Sequence, residues 1–268
     1  MLTYNVHSCR GGDGRTDPAR IAEVIAGEAP DIVALQELDV GRARSGGLDQ
    51  AQLVATHLNM KSHFHPALHV KEEKYGDAIL TAFPATVMRA GALPSIGEPR
   101  GAIWLSIDIG GAHLQVINTH LGLRRRERLS QVAQLLGPGW LGSGECKNKP
   151  AVLLGDFNAV PSSLAYRNIA RGWRDAQAKA VERPSATFPS RFPLLRLDHI
   201  FVGNGVEVMS AQVCTSLLAR SASDHLPVVA TIGVPIVVPR AAKQDSNIGA
   251  ARAADHQSEP QGETSWRR

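Results

Sequence analysis

Short apolar runs alternate with polar, turn-forming segments along most of this 268-residue chain. Residues 2–7 read as a strand. Asp17 offers an N-cap, Pro18 fits the first helical position, and Ile21, Val24 and Ile25 recur at helical spacing, so a helix is expected from Asp17. Residues 31–36 form an apolar run too short for an ordinary helix and read as a buried strand. A second helix is expected over 48–58. Lys71-Glu72-Glu73-Lys74 reads as an exposed loop. Strands follow at 78–82, 86–92, 101–109 and 113–119, with Gly110-Gly111 joining the last two in a tight hairpin. Residues 124–136 place Leu129, Val132, Ala133 and Leu136 on one helical face. Strands at 151–155, 197–202, 206–214 and 227–232 complete the pattern.

No Pro-rich or Gly-rich linker divides the first 239 residues, so a single domain is expected over 1–239. From Arg240 the chain is rich in Ala, Gln, Ser, Glu and Arg without apolar periodicity, and 240–268 reads as a disordered tail. Consecutive strands favour mixed or antiparallel sheets, and the interspersed helices must cover outer faces. The expectation is an α/β sandwich of two mixed β-sheets flanked by helices.

Many of the strands end in residues that bind metals or carry protons. The first leads to Asn5, the second to Glu37, that at 113–119 to Asn118 and His120, and that at 151–155 to Asp156 and Asn158. Asp198 lies inside an apolar strand, and Ser223-Asp224-His225 precedes the last one. Side chains two apart on a strand share a face, so Asn118 with His120, and Asp156 with Asn158 if the strand stays extended that far, can point together into a cleft. Magnesium takes oxygen ligands and needs one or two carboxylates, and Glu37 is the first candidate. Asp156, Asp198 and Asp224 add negative charge. His225 suits proton transfer or charge stabilisation, with one of the acids fixing its ring. Asn5, Asn118 and Asn158 offer amide donors to phosphate oxygens, and Arg100 or Arg124-Arg125-Arg126 could hold an anionic group. Taken singly, each has a plainer reading. Asn5 is a common turn residue, Asp198 a satisfied buried acid, Ser223-Asp224-His225 a turn cap, and the arginines a solvated helix face.

Composition changes this picture little. Hydrophobic residues make up 43% and charged residues 20%, as in ordinary globular proteins. The formal net charge of +4 suits an anionic substrate. Cys9, Cys146 and Cys214 show neither metal nor disulfide spacing, which points to a reducing, cytoplasmic setting. No membrane-spanning run and no signal peptide are expected, although the first strand begins almost at Met1.

Together, Tyr4-Asn5-Val6-His7, Leu35-Gln36-Glu37, Asn118-Thr119-His120-Leu121, Gly155-Asp156-Phe157-Asn158, Leu197-Asp198-His199-Ile200 and Ser223-Asp224-His225 resemble the endonuclease/exonuclease/phosphatase superfamily. The resemblance covers residues 2–232. It implies the four-layer deoxyribonuclease I-like fold and divalent-metal phosphoesterase activity with Mg²⁺ or Mn²⁺. On this likeness Glu37 binds the metal with help from Asn5, and Asp156 and Asn158 position the nucleophile and phosphate. Asp224 pairs with His225 against the scissile phosphate, Asp198 supports the metal or the histidine network, and His120 matches a second histidine often assigned to leaving-group protonation. Thr187-Phe188-Pro189-Ser190 with Leu194-Leu195-Arg196-Leu197-Asp198 is similar to small bacterial hydrolases of the superfamily, some of them similar to phospholipid and sphingomyelin phosphodiesterases. Asp77 stands where Asn is usual, Ala82-Phe83 where Ser-Arg is usual, and His199 where Tyr is common.

The reading that follows is a monomeric phosphodiesterase acting on a small or lipid-linked phosphodiester. A nuclease on DNA or RNA is the enzymatic alternative, though aromatic residues are only 5% and no aromatic-and-basic strand-binding stretch is present. A non-catalytic phosphate-binding module is the third, and it would be favoured by a missing Glu, Asp or His.

Overall fold

A computed structural model describes residues 1–235 except Glu182. The expected tail at 240–268, with the domain boundary at 239, lies outside the described residues. In chain order the strands are β1 (Leu2–Asn5), β2 (Ile32–Val40), β3 (Lys61–Val70), β4 (Glu73–Thr81), β5 (Ala85–Leu93) and β6 (Arg100–Ile109). They continue with β7 (Ala112–His120), β8 (Ala151–Asp156), β9 (Arg174–Asp175), β10 (Asp198–Val202), β11 (Glu207–Val213) and β12 (Val228–Gly233). The α-helices are α1 (Pro18–Ala26), α2 (Gln50–His57), α3 (Arg125–Leu136), α4 (Gly144–Asn148), α5 (Leu164–Ala170), α6 (Ala176–Ala180) and α7 (Leu217–Ala222).

The strands form two six-stranded sheets, ordered β11-β12-β1-β2-β4-β3 and β5-β6-β7-β8-β10-β9. Each contains one parallel pair, β1 with β2 and β7 with β8, among antiparallel neighbours. Alternation along the strands divides the core into three layers. Ile32, Ala34, Ile79, Val116, Val152 and Leu154 pack between the sheets. Val33 and Leu35 turn the other way, toward Ile21 and Ile25 of α1 and Val54 of α2. Ile117 and Leu153 turn toward Val132 of α3 and Ile169 of α5. The result is helices, sheet, sheet, helices, the four-layer α/β sandwich expected from the sequence.

Local signals explain several elements. Asp17 caps α1 by accepting from the Arg20 N–H at 3.1 Å, with Pro18 in the first turn. β3 and the first half of β4 were not expected. His63, His65 and Pro66 break the apolar run of β3, an edge strand that is only partly buried. Lys71 and Glu72 form its turn to β4, whereas Glu73 and Lys74 already belong to β4. The short α4, α5 and α6 offer too few residues for helical periodicity to show.

At one end of the sandwich the layer between the sheets becomes polar. Asn118 continues the inner face of β7 beyond Leu114 and Val116. Its Nδ2 donates to the main-chain oxygens of Leu35 at 2.9 Å and Ala78 at 2.8 Å, on the opposite sheet. Its Oδ1 accepts from Gln36 Nε2 at 2.7 Å, and Gln36 also donates to Thr3 Oγ1. These bonds tie β7 to β2 and β4 where water is excluded, so each unmade one carries a desolvation cost. Asn118→Ala is expected to cost about 3 kcal/mol of stability in urea denaturation. A loss below about 1 kcal/mol would show that the clamp does not hold the sheets.

Candidate active site

The polar end of the sandwich opens into a cleft of about 630 Å³. Glu37, His120, Asp156, Asn158, Asp224 and His225 line it, as does Arg100. Asn5, Asn118 and Asp198 lie beneath and are buried. The structure therefore brings all ten expected residues to one end of the molecule, with seven in the wall and three in support.

Three neighbouring strands supply the floor. His120 of β7 and Asp198 of β10 each pair in register with Asp156 of β8. Gly155, just before Asp156, approaches β7 so closely that a Cβ there would lie 1.9 Å from the Thr119 oxygen. Only glycine permits that approach. β8 ends at Asp156, so the extended strand that would place Asn158 on the face of Asp156 does not reach it. Instead Asn158 adopts φ 47°, and its N–H donates to Asp156 Oδ1 at 2.8 Å. Its Nδ2 lies 3.1 Å from His120 Nε2 and donates to the Leu121 oxygen.

Glu37 comes from a bulge. Between Leu35 and Leu38 the β2 register against β4 shifts, leaving Gln36 and Glu37 opposite Asp77. Glu37 takes φ 61°, which is strained for a residue with a long side chain. Its carboxylate accepts from Asn5 Nδ2 at 3.0 Å, and the same nitrogen donates to Asp156 Oδ2 at 2.9 Å. Asn5 Oδ1 meanwhile accepts from the His7 N–H. In this arrangement Asn5 bridges the two carboxylates through its amide nitrogen rather than presenting an oxygen to a metal.

His225 pairs with a different acid from the one expected. Its Nδ1 lies 2.8 Å from Asp198 Oδ2, and its Nε2 lies 3.7 Å from Asp156 Oδ2. Asp224 is half-exposed and faces His7 instead, at 3.8 Å. The reason is geometric, since Asp198 projects from the neighbouring sheet under the imidazole while Asp224 points outward along the loop. Phe188 covers the ring, with centroids 4.8 Å apart. Burial would lower the His225 pKa, but Asp198 and Asp156 more than offset it and raise it to about 10. His120 goes the other way. Burial, then Arg100 and His225, push it well below the ordinary imidazole value. Burial also pushes the Asp156 carboxyl up. One imidazole is thus cationic and the other neutral.

Two groups of side chains could hold a divalent cation. Asp156, Asp198 and His225 offer ligand atoms within 4.8 Å of one another, and Asp198 Oδ1 is buried without a partner. Against this set, the His225 Nδ1–Asp198 contact is already closed at 2.8 Å. Glu37 and Asp156 are joined by the Asn5 donor, and Glu37 opens to the cleft above the buried Asp156, which suits a hard, partly hydrated cation.

Other expectations are corrected. Asn118 does not share the cleft with His120, because both its amide hydrogens are spent on main-chain carbonyls of the opposite sheet. Arg124, Arg125 and Arg126 are exposed and do not line the cleft; Arg128, one turn further along α3, does. His199 sits in a buried network, its ring nitrogens 3.0 Å from Asp175 Oδ2 and 2.9 Å from the Ala159 oxygen. Burial pushes the Asp77 carboxyl up to about 8. At neutral pH it is therefore largely protonated and has the outline of the Asn usual in that place.

Sequence reasoning missed Arg44, Tyr75 and Arg128 in the wall. Arg44 makes a bidentate pair with the fully buried Asp39, at 2.7 and 2.8 Å, and its guanidinium lies over the Tyr75 ring. Arg100 and Arg128 each have a buried Nε without a partner. No spacing links these positions, which come from separate strands, loops and one helix.

The sequence profile of the Endonuclease/Exonuclease/phosphatase family matches residues 2–225. The chain belongs to that family of phosphoesterase and nuclease hydrolases. It is 34% identical over 171 residues to the uncharacterized protein YbhP of Escherichia coli K12, a match spanning 60% of this chain and 64% of that one. A functionally unknown conserved protein from Enterococcus faecalis superposes with a TM-score of 0.72 at 22% identity, over 88% of this chain and all of that one. A mannosyl-6-phosphatase from Bacteroides thetaiotaomicron superposes with a TM-score of 0.70 at 22% identity, over 87% and 98% of the two chains. Both structural likenesses concern the fold. Among the described residues no helix is long and apolar enough to cross a membrane.

Two titrations check these electrostatics, both in chelator. In the wild type the His225 imidazole should titrate near pH 10 by NMR. Asp198→Asn should lower that value by about two pH units, and no change would remove Asp198 as its partner. For Asp77 the folded pKa lies above the unfolded one, so its contribution to stability is present below about pH 4 and is lost as pH rises toward about 8. Asp77→Asn should therefore gain stability relative to wild type across that window, by the order of 1 kcal/mol or more. A pH-independent difference would contradict the buried, protonated acid.

Proposed function

We propose that the chain is a divalent-cation-dependent phosphodiesterase acting on a small or lipid-linked phosphodiester. The observation that carries this reading is the meeting of His225, His120 and the Glu37 and Asp156 carboxylates in one cleft. Mg²⁺ or Mn²⁺ held by Glu37 with Asp156 would supply Lewis-acid stabilisation of the phosphoryl group and activation of water. Asn5 sets the spacing of those two carboxylates.

Asp156, as a ligand of that cation, would position the attacking water rather than take its proton. Asn158 orients Asp156 through its N–H, and its side-chain amide reaches His120. His225, fixed by Asp198, donates from Nε2 to a phosphoryl oxygen and offsets the charge that develops there. A neutral, buried His120 suits positioning better than leaving-group protonation. Arg44, Arg100 and Arg128 line the same wall; Arg44 is paired with Asp39 and Arg100 with Glu98, so of the three Arg128 is the guanidinium left to meet a second anionic group. Leu123, Phe188, Leu195 and Leu197 form an apolar wall. That pairing favours an ester with an apolar portion over a uniformly polar nucleic-acid strand.

Hydrolysis of bis-p-nitrophenyl phosphate should require Mg²⁺ or Mn²⁺ and cease in chelator. Glu37→Gln and His225→Ala should each lower kcat by about 10²–10³-fold with the fold retained. Undiminished turnover in chelator would falsify the cation-dependent mechanism. A phospholipid panel run beside plasmid nicking separates the lipid reading from the nuclease, and preferential nicking would favour the latter.

A further inference from the structure

Beside the cleft mouth, three large apolar side chains stand out in solvent. Leu217 is 88% exposed, Leu194 79% and Phe192 78%. Phe192 and Leu194 lie in the loop 189–194, which hangs from main-chain bonds between Phe188 and Leu195. Both of those residues line the cleft. Leu217 begins α7. Phe192 and Leu217 flank the same shallow depression, with Arg191 and Arg220 around it.

The loop is held firmly despite carrying these exposed tips. Ser190 Oγ donates to the oxygens of Arg220 and Ser223, and Ser190 N–H donates to the Asp224 oxygen. Arg220 Nη1 donates back to the oxygens of Ser190 and Arg191. A groove lined by Arg10, Arg191 and Arg220 continues from this patch to the cleft, sharing His7, Arg10 and Asp224 with it. Among the described residues Asp224 is the one acid that lines that groove.

Resting on the phosphodiesterase reading, we propose that the loop 189–194 and the start of α7 dock on an anionic lipid surface. Phe192, Leu194 and Leu217 enter the boundary between headgroups and acyl chains, while Arg191 meets anionic headgroups. The cleft mouth then faces the bilayer, and a lipid-borne phosphodiester reaches Glu37 and His225 past Phe188 and Leu195. Nucleic acid fits less well. Arginines alone would serve a phosphate backbone, whereas the protruding aliphatic Leu194 and Leu217 gain nothing from it.

The test is flotation of the full chain with phosphatidylcholine vesicles containing about one-third phosphatidylglycerol. Wild type should float with them, and F192S/L194S/L217S should partition on the order of a hundredfold more weakly. Both proteins should hydrolyse bis-p-nitrophenyl phosphate at the same rate, showing that the site is intact. A wild type that stays in the soluble fraction, or a triple variant that floats equally, overturns the docking surface. So does plasmid binding that the triple variant loses in parallel, which would mark a nucleic-acid surface. A wild-type dimer that the substitutions convert to monomer would also overturn it, in favour of a second copy. Failure of the wild type to cleave the soluble ester would instead sink the phosphodiesterase reading.

Discussion

The site depends on polar side chains that cross from one sheet to the other. Over most of the interface the sheets meet through Ile, Val, Leu and Ala, which hold by burial and impose no direction. At one end Asn118 reaches over to Leu35 and Ala78, and Asn5 reaches over to Asp156. Hydrogen bonds have fixed lengths and angles, so these contacts set the separation of the sheets there. Glu37 belongs to one sheet and Asp156 to the other. Their approach is therefore a property of the clamp more than of either strand.

Strain and charge are concentrated at the same end. Glu37 and Asn158 both take positive φ, and both are aimed into the cleft by it. Three buried acids, Asp77, Asp156 and Asp198, lie close by with His120 and His225. The structure resolves the repulsion in different ways. Asp77 retains a proton, and Asp198 is paired to a cationic imidazole. Asp156 has His225 Nε2 at 3.7 Å and otherwise only neutral partners, so a cation in the cleft would add charge that it lacks.

Much of this was legible before any fold was known. The inner face of β8 reads Val152, Leu154, Asp156, and that of β7 reads Leu114, Val116, Asn118, His120. Apolar residues giving way to polar ones at a strand end mark both the core and the place where it stops. What stayed hidden lacked such periodicity. β3 was obscured because an edge strand tolerates His63, His65 and Pro66. Arg44, Tyr75 and Arg128 were obscured because a cleft wall joins residues with no relation in sequence.

The chain by itself determined most of the strands, the cap of α1 and the ordered set of acids, amides and imidazoles that place it in its family. These follow from local sterics and from the two-residue period of strands, which adjacent residues express on their own. Only the tertiary structure decided which acid serves which histidine. Asp224 is next to His225 in sequence, yet a loop carries their side chains apart, while Asp198 arrives from the other sheet at 2.8 Å. Partner choice at a buried site is set by distance through space and by exclusion of water, and neither is encoded in any short stretch of chain.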